Sequence, residues 1–134
     1  MNPETRFTNK VRKLWKAAYP DMKLYKHSDR FTTGIADLHF IMPGAQTAWV
    51  EVKWIARVAN RRKGGVTALQ IDFLEEHAEK GIPSFALIGT KEGCAWYRIE
   101  DYDGYVYARD LRADQYLPEL VTEVIHNGGN HFHG

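Results

Sequence analysis

The chain has 134 residues, 44% of them hydrophobic and 26% charged, which allows one globular domain with a hydrophobic core and is too short for two. A single cysteine excludes an internal disulfide framework and a cysteine-rich zinc site. The formal charge is only +1, but residues 1–67 carry thirteen Lys and Arg against five Asp and Glu, and residues 68–134 carry five against twelve. Unless these charges intermingle in the folded chain, the asymmetry favours a basic surface for a polyanion.

We expect neither a signal peptide nor a membrane-spanning segment from this sequence. Its first ten residues, MNPETRFTNK, contain no apolar segment of the kind found in signal peptides. No apolar run approaches the roughly 18 residues that span a membrane. We therefore expect a cytoplasmic protein, in the host cell if the source is a virus.

The first predicted element is an amphipathic helix. Asn2 is a favourable N-cap and Pro3 suits the first helical position. The helix should end near Tyr19, because Pro20 disfavours helical geometry in the residue before it. The apolar positions on one helix face are Phe7, Val11, Leu14, Trp15 and Ala18.

Strands and a basic segment follow the helix. Residues 23–31 read as a weak strand or a loop, and a clear strand runs from Gly34 to Met42. The Pro43-Gly44 turn reverses the chain, and a second strand runs from Thr47 to Ile55. The next segment is basic, ends in two glycines and should be mobile.

Basic side chains in the first half are candidates for contacts to the phosphates of a DNA backbone, which do not depend on the base sequence. The alternative for the segment after the second strand is a solvated loop. The candidate DNA contacts are Arg57, Arg61, Arg62 and Lys63 of that segment, and Lys10 and Lys13 of the first helix.

The second half begins with a capping-box pattern, Thr67 to Gln70, which opens a second helix. That helix should end at Gly81, with Leu69, Phe73, Leu74 and Ala78 facing inward. Later elements are strands at 84–88 and 94–99, a strand or aromatic loop at 102–107, a helix at 116–125 and a flexible tail at 126–134. The order predicts a single domain over residues 1–125 of the α/β or α+β class, a mixed sheet flanked by helices.

Three charges interrupt the apolar strands of the predicted hairpin. Glu51 and Lys53 share one face of the second strand, because side chains alternate with period two. The Pro-Gly turn can bring Asp37 beside them if the register allows. Two carboxylates suit Mg²⁺, which activates water and neutralises charge on a phosphate, and the ammonium group can stabilise the transition state. The alternative is a half-exposed sheet face with a weak Glu–Lys pair.

The stretches "GIAD" and "EVK", followed by a glutamine that opens a helix, resemble the PD-(D/E)xK nuclease superfamily. More narrowly, the pattern is similar to that of stand-alone VRR-Nuc domains of phages, which are related to Holliday junction resolvases. It covers about residues 3–89, and Ala36 stands where the family has proline. The resemblance implies a restriction-endonuclease-like αβββαβ core, in agreement with the element order.

The resemblance also implies roles for particular residues. Asp37 and Glu51 would bind the metal together with the backbone carbonyl of Val52, and Lys53 would be the catalytic lysine. Gln70 would match a family glutamine near the site, although it can instead serve only as the second half of the capping box. A further metal ligand comes from the first helix in many members, and Glu4 occupies the matching place; the alternative is a first-turn acid that the helix dipole favours.

These implications lead to a Mg²⁺-dependent, structure-specific DNA endonuclease, with Mn²⁺ as a possible substitute metal. The expected substrate is branched DNA such as a Holliday junction, in recombination or repair. A homodimer is expected, because resolving a two-fold junction needs two paired cuts. Two alternatives stay open at this point: a nuclease that nicks or cuts plain duplex or single-stranded DNA, and a non-cleaving nucleic-acid-binding protein on the same fold.

Overall fold

A computed structural model describes residues 2–27, 35–44, 46–55, 61–62, 65–107 and 120–122. The elements in chain order are α1 (Pro3–Ala18), β1 (Lys23–Lys26), β2 (Leu38–Met42), β3 (Gln46–Trp54), β4 (Arg61–Arg62), α2 (Ala68–Glu79), β5 (Ser84–Thr90), β6 (Gly93–Arg98) and β7 (Tyr105–Val106). A short 3₁₀ turn, Ile99–Asp101, follows β6. Residues 120–122 are helical and lie inside the helix predicted over 116–125.

Five strands form one mixed sheet in the order β1-β2-β3-β5-β6. The strand β3 pairs antiparallel with β2 and parallel with β5, so α2 is the crossover connection between β3 and β5. The short strands β4 and β7 pair separately. Helices pack on the sheet, and the molecule is an α+β protein with a mixed central sheet, which confirms the predicted fold class.

The α1 face of the sheet holds the larger part of the core. Asn2 caps α1 through a 2.8 Å hydrogen bond from the Thr5 amide, as the sequence predicts. The helix then buries Phe7, Val11 and Trp15 against alternate residues of the strands. The strand side chains on this face are Leu38, Phe40, Met42, Ala48, Val50, Val52, Phe85, Leu87 and Cys94.

The second helix covers the opposite face and has fewer buried positions. Thr67 and Gln70 form the predicted capping box. Gly81 has φ +85° and ends the helix with two backbone hydrogen bonds of the Schellman type, from Gly81 and Ile82. Leu74 is fully buried, but Leu69 is 57% exposed, so its predicted inward orientation is wrong. In the first turn Ile71, half-buried, packs inward instead.

Several predicted boundaries also change. The first hairpin strand begins at Leu38, and Ile35 to Asp37 precede it as irregular chain. Arg61 and Arg62 form β4 against β7, so this part of the predicted mobile segment is a paired strand. Arg57 and Lys63, and the predicted tail at 126–134, lie outside the described residues. Within the described ranges, no helix is long and apolar enough to cross a membrane.

Candidate active site

The register of the hairpin brings the two predicted carboxylates together. Leu38 pairs with Val50, and the next antiparallel position places Asp37 across from Glu51. Two hydrogen bonds fix Asp37 although it precedes the strand. Its backbone oxygen accepts the His27 amide at 2.8 Å, and its Oδ2 accepts the Val52 amide at 3.1 Å.

Glu51 is a fully buried acid, with a side-chain exposure of 0%. Among the described residues, no group donates a hydrogen bond to either of its carboxylate oxygens. Among the described residues Lys53 is the cation that pairs with it: Lys53 Nζ lies 3.6 Å from Glu51 Oε2, and the Lys53 side chain is 17% exposed. This ion pair leaves the carboxylate poorly compensated, because a buried charge needs hydrogen bonds as well as a counter-ion.

The pKa of Glu51 reflects that environment. Burial is the main cause, and the nearby Asp37 carboxylate is the second, of a rise in the Glu51 pKa to about 9. Lys53 acts in the opposite direction and does not offset them. Without a further cation, Glu51 is therefore mainly protonated at neutral pH.

Glu4 reaches the same end of β3 from the first turn of α1. Its Oε1 accepts a 3.2 Å hydrogen bond from the Trp54 amide. It also lies close enough to Glu51 to contribute to the rise in the pKa of that carboxyl. Glu4 is thus more than a solvated first-turn acid, since it joins α1 to β3 beside the carboxylates.

The side chain and the backbone amide of Gln70 are both used in the cap of α2. Its Oε1 accepts the Thr67 amide at 2.9 Å, and its own amide donates to Thr67 Oγ1 at 3.2 Å. The structure thus confirms the capping box and leaves the predicted role of Gln70 in the site as a proposal.

The chain that follows β4 returns to Lys53. Gly65 has φ +85°, and a Cβ built on it would lie 3.7 Å from Lys53 Cδ. The basic β4 strand, Arg61–Arg62, therefore ends three residues before a position that lies near the Lys53 side chain. Lys10 and Lys13 are exposed on α1.

The donor set can be compared with the needs of a metal ion. Within the described ranges, no three His, Cys, Asp or Glu side chains form a metal-binding group by themselves. Mg²⁺ is commonly held by one or two carboxylates and keeps several waters. The pair Asp37 and Glu51 meets that requirement, and the unpartnered oxygens of Glu51 are the acceptors that a cation would satisfy.

An aromatic–histidine cluster flanks the carboxylates, and sequence reasoning missed most of it. Its members are Tyr25, His27, His39, Trp49, Phe73 and His77. His39 stacks on Trp49 with ring centroids 4.4 Å apart and planes at 11°. Two signals were available: Tyr25 on β1 and His27 just after it are two residues apart and share a face, and Phe73 and His77 are four residues apart on α2.

Hydrogen bonds fix the histidines of this cluster. The Thr47 hydroxyl donates to the Phe40 carbonyl at 2.8 Å, so it accepts from His39 Nε2 at 2.9 Å. His77 Nδ1 donates to the Phe73 carbonyl at 2.7 Å. Burial, followed by His27 and His77, lowers the pKa of His39. His39 is therefore neutral and lines the site, and its Nε2 is used in the hydrogen bond to the Thr47 hydroxyl.

Comparisons with known proteins bear on the fold. No protein-family model matches the sequence, and none of the curated proteins compared with it matches either. Among solved structures, the chain is similar to Hjc from Archaeoglobus fulgidus, a Holliday junction resolvase from an archaeal hyperthermophile. The TM-score is 0.53 at 14% identity, over 87% of this chain and 92% of that chain. The shared feature is the fold.

Proposed function

We propose that this protein is a metal-dependent endonuclease that hydrolyses phosphodiester bonds in branched DNA. The observation that carries the proposal is Asp37 held opposite a buried, unpartnered Glu51 with Lys53 Nζ 3.6 Å away. A binding protein or a structural protein gains nothing from this arrangement, because an uncompensated buried carboxylate is destabilising. Similarity of fold to a Holliday junction resolvase supports the substrate class.

Three groups of this chain would hold Mg²⁺, or Mn²⁺ in its place: the carboxylates of Asp37 and Glu51 and the backbone carbonyl of Val52. Glu4 would join them directly or through water. The bound ion would supply an activated water and neutralise charge on the scissile phosphate. A cation at this place would also release the proton of Glu51, because ligand carboxylates bind metal in their ionised form.

Lys53 is the group of this chain that acts on the reacting phosphate. Its ammonium lies 3.6 Å from Glu51 Oε2, and a Cβ built on Gly65 would lie 3.7 Å from Cδ of its side chain. In that position it would stabilise the negative charge that develops on the phosphate oxygens. Gln70 would support the site after its release from the capping box. The basic residues Arg57, Arg61, Arg62 and Lys63, with Lys10 and Lys13, would contact the DNA backbone.

We further propose that the enzyme acts as a homodimer in the cytoplasm and is of the VRR-Nuc type found in phages. A junction has two strands to cut, and a two-fold dimer places one site at each. Size-exclusion chromatography with light scattering tests the dimer. A protein that is monomeric both alone and on junction DNA contradicts it.

Cleavage assays test the function directly. Labelled four-way junction, flap, single strand and plain duplex are incubated with the protein, with and without Mg²⁺. We expect Mg²⁺-dependent cleavage of the branched substrates and a loss of about 100- to 1000-fold in rate for Lys53→Ala. Asp37→Asn should lose at least as much, because it also removes a metal ligand.

Lys80→Ala is the matched control, since Lys80 is an exposed lysine at the end of α2. It should cut like the parent. Cleavage that survives Lys53→Ala or Asp37→Asn contradicts the site assignment, and equal cutting of plain duplex contradicts the branched substrate. Tight binding of junctions with no metal-dependent cutting by the parent would show the non-cleaving alternative.

A further inference from the structure

A cavity of about 400 Å³ opens on the α1 side of the sheet, at the edge where β3 and β5 end. It lies on the opposite face of the sheet from Asp37 and Glu51. Its walls are the first two turns of α1, Trp54 and the turn between β5 and β6. A cavity of this size can hold a small ligand or one unit of a polymer.

The lining of this cavity combines positive charge with aromatic surface. Three of its side chains are exposed cations, one is an exposed acid and two are aromatic rings, with centroids 5.7 Å apart. The side chains are Arg6, Lys10, Lys91, Glu92, Phe7 and Trp54. The excess of cations favours an anion, and the rings favour a flat partner, so the lining has the two parts that recognise a nucleotide.

Ordered backbone supports both sides of the cavity. The Thr90 hydroxyl donates to the Gly93 carbonyl at 3.0 Å and accepts the Glu92 amide at 3.0 Å, which fixes the turn that carries Lys91. On the other side, the Phe7 ring lies so close to Gly89 that a Cβ there would be 2.7 Å from it. The cavity is therefore a fixed feature of the fold.

One residue links this cavity to the candidate active site. Trp54 places its ring in the cavity, and its amide donates to Glu4, which lies near Glu51. A DNA strand whose scissile phosphate is at the carboxylates can thus continue around the end of β3 toward the cavity.

We propose that this cavity binds one nucleotide of the DNA strand beside the scissile phosphate. The base stacks on the half-buried Trp54 ring, with the edge of Phe7 beside it, and the phosphate is held by Arg6, Lys10 and Lys91. Aromatic stacking accepts any base, so the site adds affinity without sequence preference. The inference rests on the proposed function for its place next to the cut, and binding itself can be measured separately.

Binding of a short oligonucleotide tests the proposal. The probe is 5′-phosphorylated tetrathymidylate in EDTA, which prevents cleavage, measured by calorimetry and by amide chemical shifts. We expect shifts to concentrate at Trp54 and Lys91. The double variant Arg6→Gln, Lys91→Gln should bind at least about tenfold more weakly, because each lost cation removes a charge-assisted contact to phosphate. Trp54→Leu should lose about tenfold through stacking.

Two controls make the result specific. Lys16→Gln removes an exposed charge from the last turn of the same helix and should bind like the parent. Glu92→Gln should bind about two- to fivefold more tightly, because it removes the acid from the lining. Circular dichroism checks that each variant is folded. Parent-like binding by the double variant, or an equal loss in Lys16→Gln, overturns the proposal.

The same variants separate this inference from the proposed function. If the parent and the double variant cut junctions equally well, the nucleotide site in the cavity is contradicted and the proposed nuclease function stands. A parent that binds tetrathymidylate through the cavity but cuts no DNA overturns the nuclease and leaves the nucleotide site in place.

Discussion

The two faces of the central sheet are built from the same strands and differ in how they handle charge. On the α1 side, alternate residues such as Val50, Val52 and Phe85 are fully buried and apolar. On the α2 side, the residues between them include Glu51, which is equally buried and accepts no hydrogen bond from any residue that the structure describes. One face therefore stabilises the fold, whereas the other holds a buried acid that can ionise at neutral pH only when a further cation binds beside it.

The difference between the two faces shows how a small domain can hold polar side chains in a fixed geometry. Adjacent residues on β3 point to opposite faces, so a strand that is rigid through its apolar side holds its polar side in fixed geometry. Val52 illustrates how the two faces are connected. Its side chain is buried in the core on the α1 side, while its backbone N–H donates to Asp37 on the other side. The charged face depends on the apolar one for its precision.

The largest expected effect lies on the apolar face. Phe40→Ala should lower the free energy of unfolding by about 3–5 kcal/mol. Phe40 is fully buried against Trp15, so its truncation leaves a cavity in the core. Tyr25→Ala on the neighbouring strand is the control. It removes a 48% exposed ring and should cost less than about 1 kcal/mol. Urea denaturation measures both, and similar losses would contradict the contrast between the faces.

The sequence allowed much of this contrast to be predicted. Period-two alternation placed Glu51 and Lys53 on one face of a strand, with Asp37 beside them only if the register allowed, and the cap residues located both helix starts. Two features could not be read from it. The register that pairs Leu38 with Val50 depends on turn and core packing together, and the inward position of Ile71 rather than Leu69 depends on how α2 crosses the sheet. Both are set by tertiary contacts.

A second prediction concerns the charged face and pH. The folded-state pKa of Glu51 is raised to about 9 from 4.5, so between these values the folded protein binds a proton that the unfolded chain has released. The contribution of Glu51 to stability is thus full below about pH 4.5 and is lost as pH rises through 9. In EDTA, the free energy of unfolding of the parent should therefore fall by up to about 1.4 kcal/mol for each pH unit between these two pKa values.

Comparison with Glu51→Gln isolates this contribution. The stability of the variant should increase relative to the parent from pH 6 to pH 8, and Glu76→Gln, an exposed change on α2, should show no such trend. Saturating Mg²⁺ should reduce the pH dependence of the parent, because the ion binds the ionised carboxylates. Parallel pH curves for parent and Glu51→Gln would refute the raised pKa.

A third prediction tests the close packing of the apolar face. Gly89→Ala should destabilise the protein by about 1–3 kcal/mol, because the new methyl would lie 2.7–2.8 Å from three Phe7 ring atoms. Phe7→Leu in the same chain should recover part of that loss. A double-mutant cycle measures the coupling, and strictly additive losses would show that the contact does not limit this position.

The smallest effect separates the two roles of Gln70 on the helix that covers the charged face. Thr67→Ala removes the side-chain acceptor of the capping box and should cost about 1 kcal/mol of stability. Gln70→Ala leaves that acceptor in place and should cost less. If Gln70 also supports the site, Gln70→Ala should slow junction cleavage about tenfold, while Thr67→Ala leaves the rate near that of the parent. Thermal denaturation and cleavage assays on both variants decide between the roles: equal cleavage rates would assign Gln70 to the cap alone.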